Sequence, residues 1–512
     1  MKFKWLSNIG IVKANMLANL VGRAWNAILL FLCIPFYIQI LGMEGYGLIG
    51  FFFSLQGVIK LLDLGLSTVV NKEIASFSLK EEHFQDLRDL VRTLEIIYWG
   101  IGLILTLAIL FSSSWIGGSW IQSEYLSPHE VTNAVFLMAL AIVFQWPVVF
   151  YSGCFSGMQK QVTLNFWNSA IAIFRFGLVI PVLYIVDPTI ENFFLWQILV
   201  GLVSTVPMAM HAWKSLPGGY RIATFQSKIL RKIWRFTVGL SIASILAVIL
   251  MQSDKILLSK LLMLEQFGYY TLATTVAGLI YYLVYPIGMA VFPKLSQLVS
   301  EGELEEVRRM YHLANQVMSA AIIPLSLAMS IGAKEMIFIW TGNESIASNV
   351  GPVLSIYCLG TLIHGLLHIP FFLQFASSWT KLALYANLIA VVLFIPLLFW
   401  LTNYLGMQGG AYAWLITNLI YSIFVMFAMH KRLLKKDLLR WLFSDLGVSF
   451  VISIVVFSAW YVVIPSPSGR VSSFLWYSLL ILSSQTLCIM ATSEGRSWLQ
   501  KNFFHRGEMN AM

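Results

Sequence analysis

Apolar residues run through this chain in windows of about 20, the length an α-helix needs to cross the hydrocarbon core of a bilayer, with short polar segments between them. The windows predict helical spans at 14 to 40, 46 to 71, 93 to 114, 132 to 152, 164 to 186 and 191 to 213. A second series follows at 236 to 260, 267 to 292, 314 to 338, 350 to 376, 380 to 402 and 408 to 430, with two more near 445 to 465 and 472 to 492. This predicts an all-α polytopic membrane protein of about fourteen transmembrane helices. Six prolines, Pro35, Pro147, Pro181, Pro286, Pro370 and Pro396, fall inside spans and can kink them.

Composition agrees: 58% hydrophobic residues, 11% charged residues and a mean hydropathy of +0.78 cannot be arranged around one soluble core. The placement of Lys and Arg orients the spans. Only Lys260, Lys334 and Arg470 lie on one set of connections, and four more lie within spans; the other 26 of the 33 fall on the alternate connections. The positive-inside rule therefore predicts that both termini are cytoplasmic, which requires an even number of spans. These flanks also account for the net charge of +9 through anionic membrane lipids, so nucleic acid is not expected as a partner. The first apolar run is longer than a signal h-region and contains Arg23, so it is expected to remain as a span. The four cysteines, Cys33, Cys154, Cys358 and Cys488, are scattered along the chain and suggest neither a disulfide framework nor a zinc site.

The chain also repeats itself. Leu41-Gly42-Met43-Glu44-Gly45-Tyr46-Gly47 recurs as Leu262-Met263-Leu264-Glu265-Gln266-Phe267-Gly268, placing Glu44 on Glu265 and Gly47 on Gly268 at an offset of 221. The same offset relates Gly57 to Gly278 and Lys160 to Lys381. It covers six spans, an even number, so the copies keep one orientation and predict two six-helix lobes around an axis along the membrane normal, facing each other across a cavity. The expected organisation is a first lobe at 1–213, a cytoplasmic linker at 214–235, a second lobe at 236–430, and two accessory helices with a tail at 431–512.

Charge inside the spans carries the chemistry. Arg23, Lys60, Arg175 and Lys255 stand in apolar surroundings, where each costs roughly 2.5–3.5 kcal/mol on insertion scales unless it faces a wet interior. They form a candidate cationic cavity for an anion; the alternative is interhelical ion pairs. Asp63 follows Lys60 by three residues and shares a helix face with it, so the two can neutralise each other. Asp63 also lies at a depth similar to Arg23, and either a structural pair or a cation-coupling site fits it. Asp254 and Lys255 are adjacent and expected to point to different sides of their helix. His364 and His368 lie one turn apart near mid-membrane, as a proton-responsive pair or as buried polar packing. With no further ligand nearby, no metal is assigned to them.

No Gly-Lys pair occurs, hence no phosphate loop for ATP, no covalent-catalysis constellation is recognisable, and no cofactor is implied. The longest outward loop, about 115 to 131, holds Glu124 and Glu130 but no Lys or Arg to grip a diphosphate, unlike what a membrane polymerase would need.

The runs Pro35-Phe36-Tyr37, Leu41 to Gly47 and Leu61-Leu62-Asp63-Leu64-Gly65-Leu66, echoed by Asp254-Lys255-Ile256-Leu257-Leu258 and Phe267-Gly268-Tyr269-Tyr270, resemble polysaccharide-transport (Wzx-like) flippases. These belong to the superfamily of multidrug, oligosaccharidyl-lipid and polysaccharide exporters. The resemblance implies a flippase of the bacterial inner membrane. It would turn undecaprenyl-diphosphate-linked oligosaccharide units from the cytoplasmic to the periplasmic leaflet by alternating access, for O-antigen, capsule or exopolysaccharide biosynthesis. Implied partners are this lipid-linked oligosaccharide, H+ or Na+ as coupling ion, and the polysaccharide polymerase machinery. The alternatives are a cation-coupled multidrug exporter of the same superfamily and a membrane glycosyltransferase or polymerase. A net intramembrane charge of +2, from those four cations against Asp63 and Asp254, speaks against an acid-lined drug cavity.

Overall fold

The computed structural model describes residues 2–63, 65–77, 84–218, 221–228, 249–465, 467 and 469–499. Among them twelve helices are long and apolar enough to cross a membrane, and β pairing is limited to an isolated bridge between Gln122 and Met263. Ala24–Ile59 is two spans in one: its 36 residues would reach about 54 Å at 1.5 Å per residue, nearly twice a bilayer core. Gly42 divides it with φ 72° and ψ 178°, a conformation open to residues without a Cβ. Eleven further helices correspond one to one with expected spans. The expected span at 236 to 260 lies largely outside the described residues; 249–261 are helical.

Backbone contacts divide the chain into two units, Met1–Gly268 and Tyr269–Met512. The division falls after Gly268 rather than in the 214–235 linker because the helix at 249–261 is bonded into the first unit. Trp120 Nε1 donates to Ser259 Oγ (3.0 Å), and Leu264 N donates to the Gln122 carbonyl (2.7 Å).

The first unit is built from α1 (Lys2–Ile59), a 3-10 turn (Lys60–Asp63), α2 (Leu66–Phe77), α3 (Phe84–Trp115), α4 (Pro128–Gln145), α5 (Pro147–Gly157), α6 (Gln161–Ala172), α7 (Val179–Ile185) and α8 (Ile190–Ser215). Ser127-Pro128-His129-Glu130 starts α4 with a complete capping box: the Ser127 hydroxyl accepts from Glu130 N, and the Glu130 carboxylate accepts from Ser127 N. In lipid, small residues rather than water-driven burial let helices approach. Gly153 and Gly157, four apart, do this for α5 on α2: a Cβ at either would come 2.6 Å from the carbonyl of Ser67 or Asn71. The repeated motif shows the same device twice. A Cβ on Gly47 would come 2.6 Å from the Leu264 carbonyl, and one on Gly268 equally close to the Met43 carbonyl. Both contacts relate under the offset of 221, so the two copies of the motif meet reciprocally.

At the end of α3 that begins at Phe84, the described part of the linker is pinned. Asp89, 2% exposed, accepts from Arg221 Nη2 (2.9 Å) and Thr224 N (2.8 Å), while Thr93 Oγ1 accepts from Gln226 N. Glu95 accepts from Tyr151 Oη (2.6 Å), Trp213 Nε1 (2.9 Å) and Arg92 (2.6 Å).

The second unit holds helices Tyr281–Glu301, Leu304–Ile331, Glu344–Leu366, His368–Ala376, Thr380–Leu405 and Met407–Arg432, followed by Leu438–Val463 and Arg470–Met490. Ala328 packs with Phe457, Trp476, Tyr477 and Leu480, so both accessory helices are anchored on Leu304–Ile331.

Candidate functional site: a cation held without a carboxylate

Arg175 lies on a π-helical segment, Ile173–Gly177, between α6 and α7. The wider turn displaces carbonyls from the regular ladder, and other helices bond three consecutive ones. Trp196 Nε1 donates to Phe174 O (2.8 Å), Gln197 Nε2 to Arg175 O (3.1 Å), and Tyr37 Oη to Phe176 O (2.5 Å). Short π-segments recur at functional sites because they re-aim a side chain at a cost the surroundings must offset. Here three polar side chains supply that offset.

The guanidinium is held by amides. Arg175 Nη2 donates to Gln56 Oε1 (2.6 Å), Gln56 Nε2 to Gln145 Oε1 (2.9 Å), and Gln145 Nε2 to Gln197 O (2.9 Å). Gln197 returns to the Arg175 carbonyl, closing a ring through α1, α4, α8 and the π-segment. The guanidinium carbon stands 5.3 Å from the ring centres of Phe53 and Phe176 and 5.8 Å from that of Phe52, within cation–π range. Arg175 Nε is buried with no hydrogen-bond partner, and among the described residues no carboxylate lies within ion-pair distance of the side chain. The Arg175 side chain thus has a hydrogen bond to a neutral amide, a buried Nε without a partner and no counter-ion among the described residues.

The surrounding cavity encloses about 360 Å³ and is lined by Lys60 and Arg175, by Asn26, Gln56, Gln145, Ser152 and Asn168, and by apolar residues including Ile59, Trp146 and Phe176. Among the described residues no acidic side chain lines it. Arg suits phosphate because its planar fork donates two parallel hydrogen bonds, whereas Lys adds a point charge.

The structure thus brings Lys60 and Arg175 together. The Arg23 side chain lies outside the described residues, so its pairing with Asp63 does too. The expected Lys60–Asp63 neutralisation is not formed: Asp63 accepts from Ser67 Oγ (2.7 Å) and Ser67 N (3.2 Å), tying down the first turn of α2. Lys255 and Asp254, expected on different sides of their helix, reach each other at 3.3 Å; flexible neighbours 100° apart on a helix can still meet when one of them, here Asp254, is 1% exposed. His364 and His368 belong to the second unit and straddle a helix break at Leu367. Their rings are 5.3 Å apart, and His364 Nδ1 shares a hydrogen bond with Tyr281 Oη (2.8 Å). The histidines are packed among Tyr281, Tyr285 and Trp414.

Sequence reasoning passed over Gln56, Gln145 and Gln197. The signal available was three long amides inside apolar spans. It also passed over His312 and Asp445, both 1% exposed and 2.5 Å apart.

The family model described as "Polysaccharide biosynthesis protein" matches residues 12–299, and that described as "Lipid II flippase MurJ" matches residues 193–480. A Shigella flexneri protein described as "Putative O-antigen transporter" is 20% identical over 417 residues, 81% of this chain and 96% of that protein. Among solved structures, the lipid II flippase MurJ in an inward closed conformation superposes with a TM-score of 0.66 at 15% identity, covering 93% of this chain and 98% of that one. An inward-facing multidrug resistance MATE family transporter gives 0.64 at 15% identity, covering 80% and 94%. At these identities the structural likenesses establish the fold.

Proposed function

The chain belongs to the polysaccharide biosynthesis protein family, a group of multi-pass membrane transporters and not enzymes, and on that premise we propose that it flips a lipid-diphosphate-linked oligosaccharide from the cytoplasmic to the periplasmic leaflet by alternating access. The observation that carries the reading is Arg175: a guanidinium bonded to the neutral Gln56 amide, with a buried Nε that has no hydrogen-bond partner, beside Lys60 in a cavity with no acid among its described lining residues. In this reading both cations take the diphosphate, the neutral polar lining takes its hydration, and the glycan occupies the wet interior. The cation-coupled drug exporter, which the MATE likeness would also fit as a fold, is disfavoured because an acid-free cavity repels cationic drugs.

Outward transport against a gradient needs an energy source, and we assign it to a proton or sodium gradient acting through Asp63, His364 or another intramembrane group. An ion bound about 1.4 kcal/mol more tightly in one arrangement shifts the populations tenfold. The test is flipping of a labelled lipid-linked oligosaccharide in proteoliposomes without ATP, with each gradient collapsed in turn. Arg175→Lys is expected to keep part of the transport, Arg175→Ala and Arg175→Glu to lose most of it at equal protein level. Unchanged transport by Arg175→Ala would sink the substrate-contact role, and unchanged accumulation after both collapses would sink the coupling. The orientation this direction assumes is checked by cysteine labelling. Gly118 and Gly406 should react from the periplasm, Gln85 and Lys436 from the cytoplasm; reaction of any one from the opposite side overturns it.

A further inference from the structure

The polar groups of the cavity lie in two layers along the helices that line it. Arg175, Gln56 and Gln145 form one, joined by the hydrogen bonds given above. Asn168 stands seven positions before Arg175 and Ser152 seven positions after Gln145, so each is displaced by about 10 Å at 1.5 Å per residue. Only Met158-Gln159-Lys160 separates the helices that carry them, α5 and α6, so both displacements run the same way. Asn26 enters the cavity on that side too: Gly22, one turn before it, packs on Asn165, and a Cβ on Gly177 would lie 3.9 Å from Leu29, which follows it. Lys60, four positions after Gln56, falls between the layers, and the chain then reaches Ser67, whose carbonyl packs on Gly153 beside Ser152.

The layers differ in what they leave unused. At Arg175 the group without a partner is a donor, Nε. In the second layer it is an acceptor: Asn26 Oδ1 is buried with no hydrogen-bond partner, and Ser152 Oγ, which donates to the Val148 carbonyl (2.7 Å), keeps its lone pairs. An ionised phosphate oxygen accepts and cannot answer an acceptor, whereas a hydroxyl or an amide N–H can. We propose that Asn26, Ser152 and Asn168 form the subsite for the sugar bonded to the diphosphate, and so select which glycan is accepted. The inference rests on the reading of Arg175 and Lys60 as the diphosphate site. With the diphosphate on those cations, the first sugar ring lies within a few bonds of them, and its hydroxyls both donate and accept, as the amides of Asn26 and Asn168 do. Such a site discriminates sharply, because a ring lacking the matching hydroxyl leaves the protein's own group buried and unpaired.

The test is binding by the purified protein of geranyl diphosphate, bare or carrying one sugar: a hexose, a deoxyhexose or an N-acetylhexosamine. The wild type should bind at least one sugar-bearing probe about tenfold more tightly than the bare diphosphate, a factor that one or two good hydrogen bonds supply. Asn26→Leu and Asn168→Leu keep the volume and remove the amide. Each should reduce that advantage to about threefold or less, and together they should erase it. Bare geranyl diphosphate should bind both variants as it binds the wild type, which also reports that they are folded. Asn26→Ser, which keeps a hydroxyl, should retain part of the advantage and takes the place of Asn26→Leu if that variant does not fold. Arg175→Ala should weaken every probe alike. A sugar advantage kept by the double variant, or absent from the wild type for all three sugars, overturns the sugar subsite while Arg175 dependence still stands. Geranyl diphosphate binding that does not depend on Arg175 defeats the diphosphate reading itself.

Discussion

Two charge clusters in this protein follow different rules. In the first unit Arg175 is bonded to an amide, stands over aromatic faces and has a buried Nε without a hydrogen-bond partner. In the second unit His312, Asp445, Arg308 and Asp437 each lie within ion-pair distance of an opposite charge, although His312 Nε2 is buried without a hydrogen-bond partner. His312 Nδ1 is 2.5 Å from Asp445 Oδ2, Gln316 Nε2 donates to Asp445 Oδ1 (3.1 Å), and Arg308 is bonded to Asp437 (2.6 Å) and Glu305 (2.7 Å). Asp437 also lies 3.7 Å from His312 Nε2. These bonds tie Leu304–Ile331 to the first accessory helix, whose π-segment, Trp441–Gly447, carries Asp445. A cluster whose cations stand beside carboxylates ties helices together. In the proposed reading, one whose cation lacks a carboxylate gives up stability and keeps that charge for an anion.

The sharpest way to break this comparison is to remove one charge from each cluster. Taking one partner from a buried pair typically costs 3–5 kcal/mol, because the other is left uncompensated, so Asp445→Ala should lower folded protein by about that much. His312→Ala combined with it should add far less than its separate effect, since the pair acts as one unit. Arg175→Ala removes an unpaired charge and strands the Gln56 carbonyl, a loss of about 1–3 kcal/mol, so it should cost less stability while abolishing transport. Thermal unfolding in detergent, read beside flipping, checks both. A larger destabilisation by Arg175→Ala than by Asp445→Ala would reverse the assignment.

A smaller effect should separate holding the cation from being the cation. Gln145→Leu keeps the volume but opens the amide ring, leaving Gln56 free to turn and Arg175 less well placed. Transport should fall about fivefold, the factor that corresponds to the roughly 1 kcal/mol net contribution of a hydrogen bond, with the folded protein still present and Arg175→Lys no longer distinguishable from Arg175→Ala in that background. Full transport by Gln145→Leu would show that Arg175 needs no ring.

Much of the fold is legible in the chain, because a span announces itself in any 20-residue window and Gly42 marks where the first long helix divides. The two cations of the cavity are legible for the same reason: Lys60 and Arg175 are conspicuous against an apolar background. Their surroundings are not. Gln56, Gln145 and Gln197 carry no charge to mark them as candidates, and Gln56 meets Gln145 across 89 positions of chain. His312 and Asp445 are separated by 133, and no local spacing rule couples them. Local spacing can also mislead. Lys60 and Asp63 are three apart and unpaired because Asp63 serves the first turn of α2, whereas Asp254 and Lys255 are neighbours and paired. The π-segment at Ile173–Gly177 has no sequence signature; it follows from Tyr37, Trp196 and Gln197, which arrive from elsewhere in the chain.

The smallest effect belongs to charge pairs near the same cluster that are open to solvent. Arg309 lies one residue from Arg308 and pairs with Glu306 (3.7 Å) and Glu494 (3.5 Å), but it is 69% exposed and its partners 55% and 56%. Water and salt screen such pairs, and holding long side chains in one geometry offsets most of the attraction, so exposed pairs contribute about 0–1 kcal/mol. Arg309→Gln should therefore shift unfolding within that range and leave flipping unchanged. The small shift should vanish at about 1 M salt, where the screening length is roughly 3 Å. Arg308→Gln, one position away, should cost several times more at any salt, because Asp437 is only 13% exposed and would face His312 and Asp445 without its guanidinium. Equal effects of the two substitutions would show that burial does not separate the clusters, and the contrast between answered and unanswered charge would lose its physical basis.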